Sequence, residues 1–147
     1  MASPFRFRLE RLLELRRAKE AVARRAFAEA SRAAREEAAR LAAIGAEEEA
    51  LKGMSRNART GALDLTALRL AEGYLGALER RARAARERLA ELSRAEAEKR
   101  RALAEAVRGV KALERFRARK LAEWSRAADR EEVRVLDEAA AARREGA

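Results

Sequence analysis

Arginine and carboxylate side chains are almost the only chemically active groups in this sequence of 147 residues. The chain has 35 Lys and Arg residues and 25 Asp and Glu residues, but neither His nor Cys. Without those two residue types the usual zinc sites, thiolate nucleophiles, disulfides and Ser–His pairs are excluded. The Gly-rich loops that bind phosphate groups do not occur either. The sequence therefore predicts a protein that is not an enzyme and that holds no metal and no cofactor.

Positive charge is concentrated in two segments, whereas elsewhere acidic residues alternate with Arg as on solvated helix faces. Residues 99–120 contain nine basic and two acidic side chains, and residues 1–19 contain six basic and two acidic ones. Such clusters attract an acidic surface. Nucleic acid is one such surface, because Arg pairs well with phosphate, but the chain has no recognised DNA- or RNA-binding module. We therefore expect a protein partner, and a nucleic-acid-binding coiled coil is the alternative.

Two long helices are needed to position these charges. Ala, Glu, Lys, Leu and Arg dominate the composition, which is typical of long helices and coiled coils. Residues that favour turns cluster over residues 55–62 and mark a break there. We predict helix 1 over about residues 4–54, a turn over about 55–63 and helix 2 over about 65–144, in a single hairpin domain over residues 1–147.

Capping residues indicate where the two helices begin and end. Ser3 is placed to cap helix 1, with Pro4 at the first helical position, where a missing N–H has no cost. Asp64 is a good N-cap for helix 2. Gly146 favours the end of that helix.

Apolar residues repeat every seven positions along the second segment, as in a coiled coil. One set of positions holds Leu68, Leu75, Ala82, Leu89, Glu96, Leu103 and Val110. The set three residues later holds Ala71, Leu78, Ala85, Leu92, Lys99, Ala106 and Leu113. The first segment repeats less clearly, with Leu9, Arg16, Ala23, Ala30, Glu37, Ile44 and Leu51. Three residues later come Leu12, Lys19, Ala26, Ala33, Arg40, Glu47 and Met54.

Folding the first segment back on the second pairs these two stripes. If the turn lies near Gly61, the numbers of paired residues add up to about 122, so that Ile44 meets Leu78 and Leu12 faces Val110. Bulky residues then mostly oppose small ones. The sequence thus predicts an all-α fold, a long two-helix antiparallel coiled-coil hairpin with a C-terminal helix overhang.

The overhang arises because helix 2 is predicted to continue where helix 1 has ended. In the same pairing Phe5 would reach Arg117, and more than twenty residues follow that point. The spacing of the apolar stripe changes at that point. The stripe continues through Leu113, Arg117, Leu121, Trp124 and Ala128. A four-residue insertion of this kind unwinds a left-handed supercoil. The overhanging apolar face has no partner in the chain, so a larger partner or a second copy must cover it.

Neither a membrane span nor a leader segment is expected from the hydrophobicity pattern. No apolar run approaches the ~20 residues needed to cross a bilayer. The basic residues near the N-terminus have no apolar stretch behind them, so they do not form a signal peptide. We therefore expect a cytoplasmic protein.

Three blocks of the sequence resemble the flagellar FliJ family, a component of the bacterial flagellar type III export apparatus. Residues 5–16 are similar to the family's opening pattern of two phenylalanines followed by leucines. Residues 65–68 and 74–79 are similar to the aromatic and leucine pattern early in its second helix. Residues 111–139 are similar to its C-terminal block of a K-x-L-E motif, a basic pair, an aromatic residue and a D-E-x-A motif. Together the blocks extend over almost the whole chain.

The resemblance implies a two-helix antiparallel coiled coil similar to the central stalk subunit of rotary ATPases. It implies that the chain inserts into the hexameric ring of the flagellar export ATPase and promotes its assembly and activity. It further implies binding to the export-gate membrane protein, recycling of export chaperones and a peripheral location at the inner membrane. A stalk subunit of a virulence type III secretion system or of another rotary ATPase is the alternative within this class.

The resemblance also implies particular binding residues. Tyr74 and Leu78 fall where family members place gate-docking residues, although Leu78 is also predicted to pack against Ile44 in the coiled coil. The residues implied for binding the ATPase ring are Arg115, Arg117, Arg119, Lys120, Leu121 and Trp124. These residues coincide with the cationic segment and the uncovered overhang. The exposed stripe there could also pair with a second copy of the chain.

Overall fold

Two long antiparallel helices make up nearly all of the computed structural model, which describes residues 3–59 and 64–147. Helix α1 spans Glu10–Arg59 and helix α2 spans Leu65–Glu145. The described residues contain no strand, so the predicted all-α hairpin is confirmed. The turn predicted near Gly61 lies outside the described residues. Neither helix, within those residues, is long and apolar enough to cross a membrane.

The chain forms two compact units, and both helices contribute to each of them. Unit 1 consists of Met1–Val22 and Ala104–Ala147, and unit 2 consists of Ala23–Leu103. The helix pairs in the two units have separate cores, which are described one at a time below. That residues 1–147 act as one continuous hairpin domain stays a prediction.

The start of α1 differs from the prediction. The helix begins at Glu10 rather than at Pro4, and the backbone N–H of Glu10 donates a hydrogen bond of 3.2 Å to the carbonyl of Phe7. In the sequence Phe5, Phe7 and Leu9 alternate with basic residues. That period of two allows Phe5 and Phe7 to lie on one side of a non-helical segment, whereas a helix would point them in nearly opposite directions. Packing of these side chains therefore prevails over the capping signal.

Residues 53–59 also differ from the prediction, because α1 continues through them to Arg59 instead of ending near residue 54. Gly53 and Asn57 are weak helix formers, but neither has a positive φ angle or a cis peptide that would end the helix. Ser55, which follows the heptad spacing from the half-buried Leu41, is itself partly buried. Contact with the neighbouring helix therefore outweighs low intrinsic propensity over this last stretch.

Both predicted end signals of α2 are confirmed. One carboxylate oxygen of Asp64 accepts hydrogen bonds from the backbone N–H groups of Thr66 at 3.0 Å and Ala67 at 3.3 Å. This bonding satisfies two of the N–H groups that a helix start leaves without partners. At the other end the N–H of Gly146 donates to the carbonyl of Ala142 at 3.1 Å.

The core of unit 2 confirms the predicted register. Ile44 packs with the fully buried Leu78, together with Ala82 and Ala85 of α2. The small side chains of α2 allow the two helices to approach closely around Ile44. Because an alanine-rich seam buries little apolar area per turn, each large buried side chain contributes a large share of the packing energy.

In helix α1 the predicted inward positions need a correction. The second set of positions lies one residue later than predicted, so Leu13 is fully buried whereas Leu12 is 37% exposed. It is Leu13, not Leu12, that packs with Val110. The same shift turns Leu41 inward and leaves Arg40 exposed. At residues 40 and 41 the apolar neighbour takes the inward position, whereas Leu12 and Leu13 are equal in size and only the frame of the helix decides between them.

A buried carboxylate forms the polar layer of unit 2. Glu37 is 3% exposed and accepts hydrogen bonds of 3.1 Å from Arg88 of the opposite helix and from Arg40 one turn along α1. A buried charge of this kind is tolerated only when it is paired. Of the two polar residues in the heptad sets of α2, Glu96 is half-buried whereas Lys99 is exposed.

The last part of α2, after Trp124, has no helix packed against it within the described residues. Apart from the half-buried Ala128, every residue from 125 to 147 is exposed. Three large apolar side chains are among them, namely Val133, Val135 and Leu136. The predicted C-terminal overhang is therefore confirmed, and its helical structure needs another source of stability than packing.

Intrahelical ion pairs provide that stability. The guanidinium of Arg134 contacts a carboxylate oxygen of Glu131 at 2.6 Å and one of Glu138 at 2.6 Å. Partners three and four residues apart lie on one helix face and support a helix that has no neighbour. The hydrogen bond and the charge of Arg134 lower the pKa of the Glu131 carboxyl below its ordinary value.

We predict that Leu78→Ala lowers the free energy of unfolding by about 2–4 kcal/mol, because it removes a fully buried side chain from a thin core. Leu70→Ala is the matched control, since Leu70 lies on the same helix but is 72% exposed, and its effect should be below about 0.5 kcal/mol. Urea denaturation followed by far-ultraviolet circular dichroism measures both. Equal effects of the two substitutions would show that the seam at Leu78 is not a core.

The ion pairs of the overhang predict a pH dependence. The lowered pKa of Glu131 means that its contribution is present above the pKa of the unfolded chain and is lost as the pH falls through the pKa in the helix. Glu131→Gln should therefore reduce helix content at neutral pH, measured by circular dichroism, and the difference from the wild-type protein should vanish in acid. Glu132→Gln, next to it and exposed, is the control. A difference that persists in acid would contradict the ion-pair account.

Candidate partner-binding surfaces

An aromatic cluster in unit 1 joins the N-terminal segment to α2. The rings of Phe7 and Phe116 lie 5.8 Å apart at 57°, and those of Phe5 and Trp124 lie 6.1 Å apart at 55°. Tilted pairs at such distances are favourable for aromatic side chains. Phe7 is buried and packs with Leu13 and Val110. Residues 3–9, which we call the N-terminal segment, are thus held on α2 by two ring pairs.

Arg117 of α2 makes a further contact with the N-terminal segment. Its guanidinium lies 5.6 Å from the centre of the Phe5 ring, and its Nε atom donates a 3.0 Å hydrogen bond to Glu10. The contact with Phe5 confirms the predicted pairing of these two residues. Both partners of Arg117 belong to unit 1, so its guanidinium is already paired within the chain.

Two further cations flank Phe116. The guanidinium of Arg119 and the ammonium of Lys120 each lie 5.6 Å from the centre of its ring. Lys120 also contacts a carboxylate oxygen of Glu123 at 3.0 Å, one helical turn further along. Cations over an aromatic face are weakly attracted to it and keep their outer side accessible to solvent.

An open groove of about 910 Å³ lies between the N-terminal segment and α2. Trp124, which is 36% exposed, forms part of it, and the adjacent Leu121 is similarly exposed. The lining residues are Ser3, Pro4, Phe5, Arg6, Phe7, Arg8, Phe116, Lys120, Glu123 and Trp124. Aromatic side chains and cations therefore line one concave surface.

Several cations around this groove have no carboxylate partner in the part of the chain that the structure describes. Arg6 and Arg8 are exposed on the N-terminal segment, and Arg115 is exposed on α2. Over residues 3–59 and 64–147 no group of three or more acidic residues could hold a metal ion. The surface offers free cations rather than metal ligands.

A second exposed surface lies in unit 2 around Tyr74. Its side chain is 49% exposed, and its hydroxyl donates a 3.1 Å hydrogen bond to Glu47 of α1. Leu70 precedes it by one turn on the same face of α2 and is also exposed. The ring of Tyr74 is thus held by its hydroxyl while one face remains available.

Leu78 does not share this surface. It is fully buried against Ile44, so the expectation that it docks a partner directly has to be corrected, and the alternative role in core packing is confirmed. The physical reason is the heptad position, because Leu78 lies within the apolar seam with α1, whereas Tyr74 lies at the edge of that seam and contacts α1 through its hydroxyl.

The six residues expected at the ring-binding end lie along a little more than two turns of α2. Trp124 and Lys120 line the groove together with Phe116. Arg119 and Lys120 contact Phe116, whereas Arg117 is bound to the N-terminal segment. The residues not foreseen are Phe5, Phe7 and Phe116, and the alternation of apolar and basic residues over residues 5–9 was the signal for the first two.

Comparison with known proteins gives one match. A family model described as "Flagellar FliJ protein" matches residues 5–145, which is nearly the whole chain. The match includes residues 5–9 of the N-terminal segment, the surface around Tyr74 and the overhang as far as residue 145. No curated protein and no solved structure matches the chain.

Proposed function

Since the chain belongs to the flagellar FliJ family, and so is a component of the flagellar export apparatus, we propose that it acts there as a coiled-coil stalk. In this proposal unit 1 binds the hexameric export ATPase, and the surface around Tyr74 binds the export-gate membrane protein. The chain would thereby sit at the cytoplasmic face of the inner membrane without crossing it. Recycling of export chaperones is part of the same proposal.

The groove beside the uncovered end of α2 carries the proposal for the ATPase. It combines the exposed Trp124 with free cations, and large aromatic residues next to charges are typical of the centre of a protein interface. Beyond Trp124 the apolar face of α2 continues with no helix covering it among the residues that the structure describes. A partner that surrounds this end would cover both features at once.

The proposed ring-binding residues have different roles. Arg117 is bound to Glu10 and Phe5, so we assign it to positioning the N-terminal segment. Arg115 and Arg119 are exposed on α2 and are assigned to the partner, together with the exposed Lys120, whose ammonium also contacts Glu123. Leu121 and Trp124 supply the apolar contacts.

A stalk can raise ATPase activity without taking part in the chemistry. If several ATPase subunits contact the same helix pair, the stalk binds the closed hexamer more tightly than it binds separate subunits. A ligand that prefers one state shifts the equilibrium towards that state. The assembled ring would then be more populated at a given ATPase concentration.

The surface around Tyr74 supports the proposed gate contact. A tyrosine offers a broad apolar ring and a polar end, and such residues are enriched at interfaces. The hydrogen bond to Glu47 restricts the ring before a partner arrives, which reduces the entropy lost on binding. Exposed Leu70 extends the apolar area along α2.

We predict that the purified protein stimulates the export ATPase and that Trp124→Ala raises the concentration needed for half-maximal stimulation by about tenfold or more. Helix content should not change, because this residue is partly exposed. Met54→Ala, an exposed position on α1 in unit 2, is the matched control and should behave as wild type. The proposal would be refuted if the wild-type protein neither stimulated the ATPase nor co-sedimented with it. A loss of helix content in Trp124→Ala would assign this residue a structural role.

For the gate contact we predict that Tyr74→Ala weakens binding of the purified gate protein by roughly five- to tenfold, whereas Tyr74→Phe changes it by less than about threefold. The phenylalanine keeps the ring and loses only the hydrogen bond to Glu47. Surface-bound gate protein and a titration of each variant measure the effect. Val22→Ala, exposed on α1 in unit 1, is the control. Equal binding of all variants would place the gate contact elsewhere.

A further inference from the structure

We infer that the groove of unit 1 binds an acidic peptide segment carrying at least one large apolar side chain. This inference rests on the proposed function only in taking unit 1 as the partner-binding end. It adds the chemistry of the segment that the partner inserts there. The segment contributes carboxylates to the rim of the groove and an apolar anchor to its floor.

The aromatic floor supports the apolar anchor. Trp124 and Phe5 lie side by side at 6.1 Å, and the ring of Trp124 keeps about a third of its surface in solvent. Pockets of several hundred cubic ångströms lined by aromatic side chains typically enclose an apolar group. At about 910 Å³ this open groove has room for more than one side chain of a peptide.

The rim supports the carboxylates. Arg6 and Arg8 line the groove, and both lack an ion-pair partner within the described residues. The single acidic residue of the lining, Glu123, is already paired with Lys120. Residues 104–120 add six basic and two acidic side chains to the surroundings. An acidic segment is therefore attracted at a distance and finds free guanidinium groups on arrival.

The shape of the surface favours a peptide over a membrane or a nucleic acid. Insertion into a bilayer requires aromatic side chains that project outwards, but Phe7 is buried and Phe5 is bound between Trp124 and Arg117. Stacking of bases requires open ring faces in series, whereas the aromatic pairs here are tilted against each other. A concave groove with a cationic rim fits a peptide whose apolar side chain enters the groove while its carboxylates contact the rim.

Trp124 is the only tryptophan of the chain, so its fluorescence reports on the groove directly. The full-length protein is titrated with a short capped peptide that contains Glu and Leu but no aromatic residue. A second peptide has Ser in place of Leu, and a third has Gln in place of Glu. We expect a saturable blue shift of the Trp124 emission with the first peptide and a clearly weaker response with the other two.

Charge variants locate the binding site. Arg6→Gln with Arg8→Gln should weaken binding of the first peptide by roughly tenfold, because two rim charges are removed. Arg81→Gln with Arg83→Gln removes the same charge from exposed positions of unit 2 and should change binding by less than about twofold. Circular dichroism checks that both double variants keep the wild-type helix content. If both double variants weakened peptide binding equally, the effect would come from net charge alone, and the inference would be overturned.

Two further titrations test other ligands. Vesicles of phosphatidylglycerol with phosphatidylcholine and a DNA duplex are added at the same salt concentration. A blue shift of Trp124 that is larger with either of them than with the peptide would overturn the inference in favour of a lipid or nucleic-acid surface. Stimulation of the ATPase without peptide binding would overturn this inference alone. Peptide binding without any stimulation would overturn the proposed function and leave the groove assignment intact.

Discussion

Close contact between two helices through small side chains is the interaction on which the rest of the molecule depends. In unit 2 the seam consists of Ile44 and Leu78 with alanines beside them, and only narrow faces of the helices are buried there. A narrow seam leaves most of each helix surface exposed to solvent. The residues next to the seam, such as Tyr74, therefore remain accessible, and the carboxylate of Glu37 can be buried between two arginines without leaving an unpaired charge.

In unit 1 the same principle gives a different result, because the chain that pairs with α2 there is only partly helical. Phe5 and Phe7 reach α2 from a non-helical segment and pack at a tilt against Trp124 and Phe116. A single non-helical segment covers less of α2 than a helix would, and the space beside it is the groove. Arg117 keeps the segment in place. The aromatic packing at the end of the helix pair is thus also what creates the proposed binding surface.

The sequence was sufficient to predict the fold class, the register at Ile44 and Leu78, the cap at Asp64 and the overhang, because each depends on local chemistry or on a long repeat. It did not predict the start of α1, where the packing of Phe7 prevails over the cap at Ser3. Nor did it predict that Leu13 rather than Leu12 faces α2, since heptad counting in an alanine-rich helix allows two frames. The binding residues on α2 were predicted from the family resemblance. The aromatic floor beneath them could not be predicted, because its ring contacts join the N-terminal segment to the far part of α2.

The ion pairs of Arg134 with Glu131 and Glu138 have a consequence for the speed of complex formation. A helix that is already formed in the free protein does not have to fold when it meets a partner. Binding therefore does not include the loss of conformational entropy that a disordered tail would undergo. Collisions in the right orientation can then lead directly to a complex, and differences in affinity among variants would arise mostly from how fast the complexes come apart.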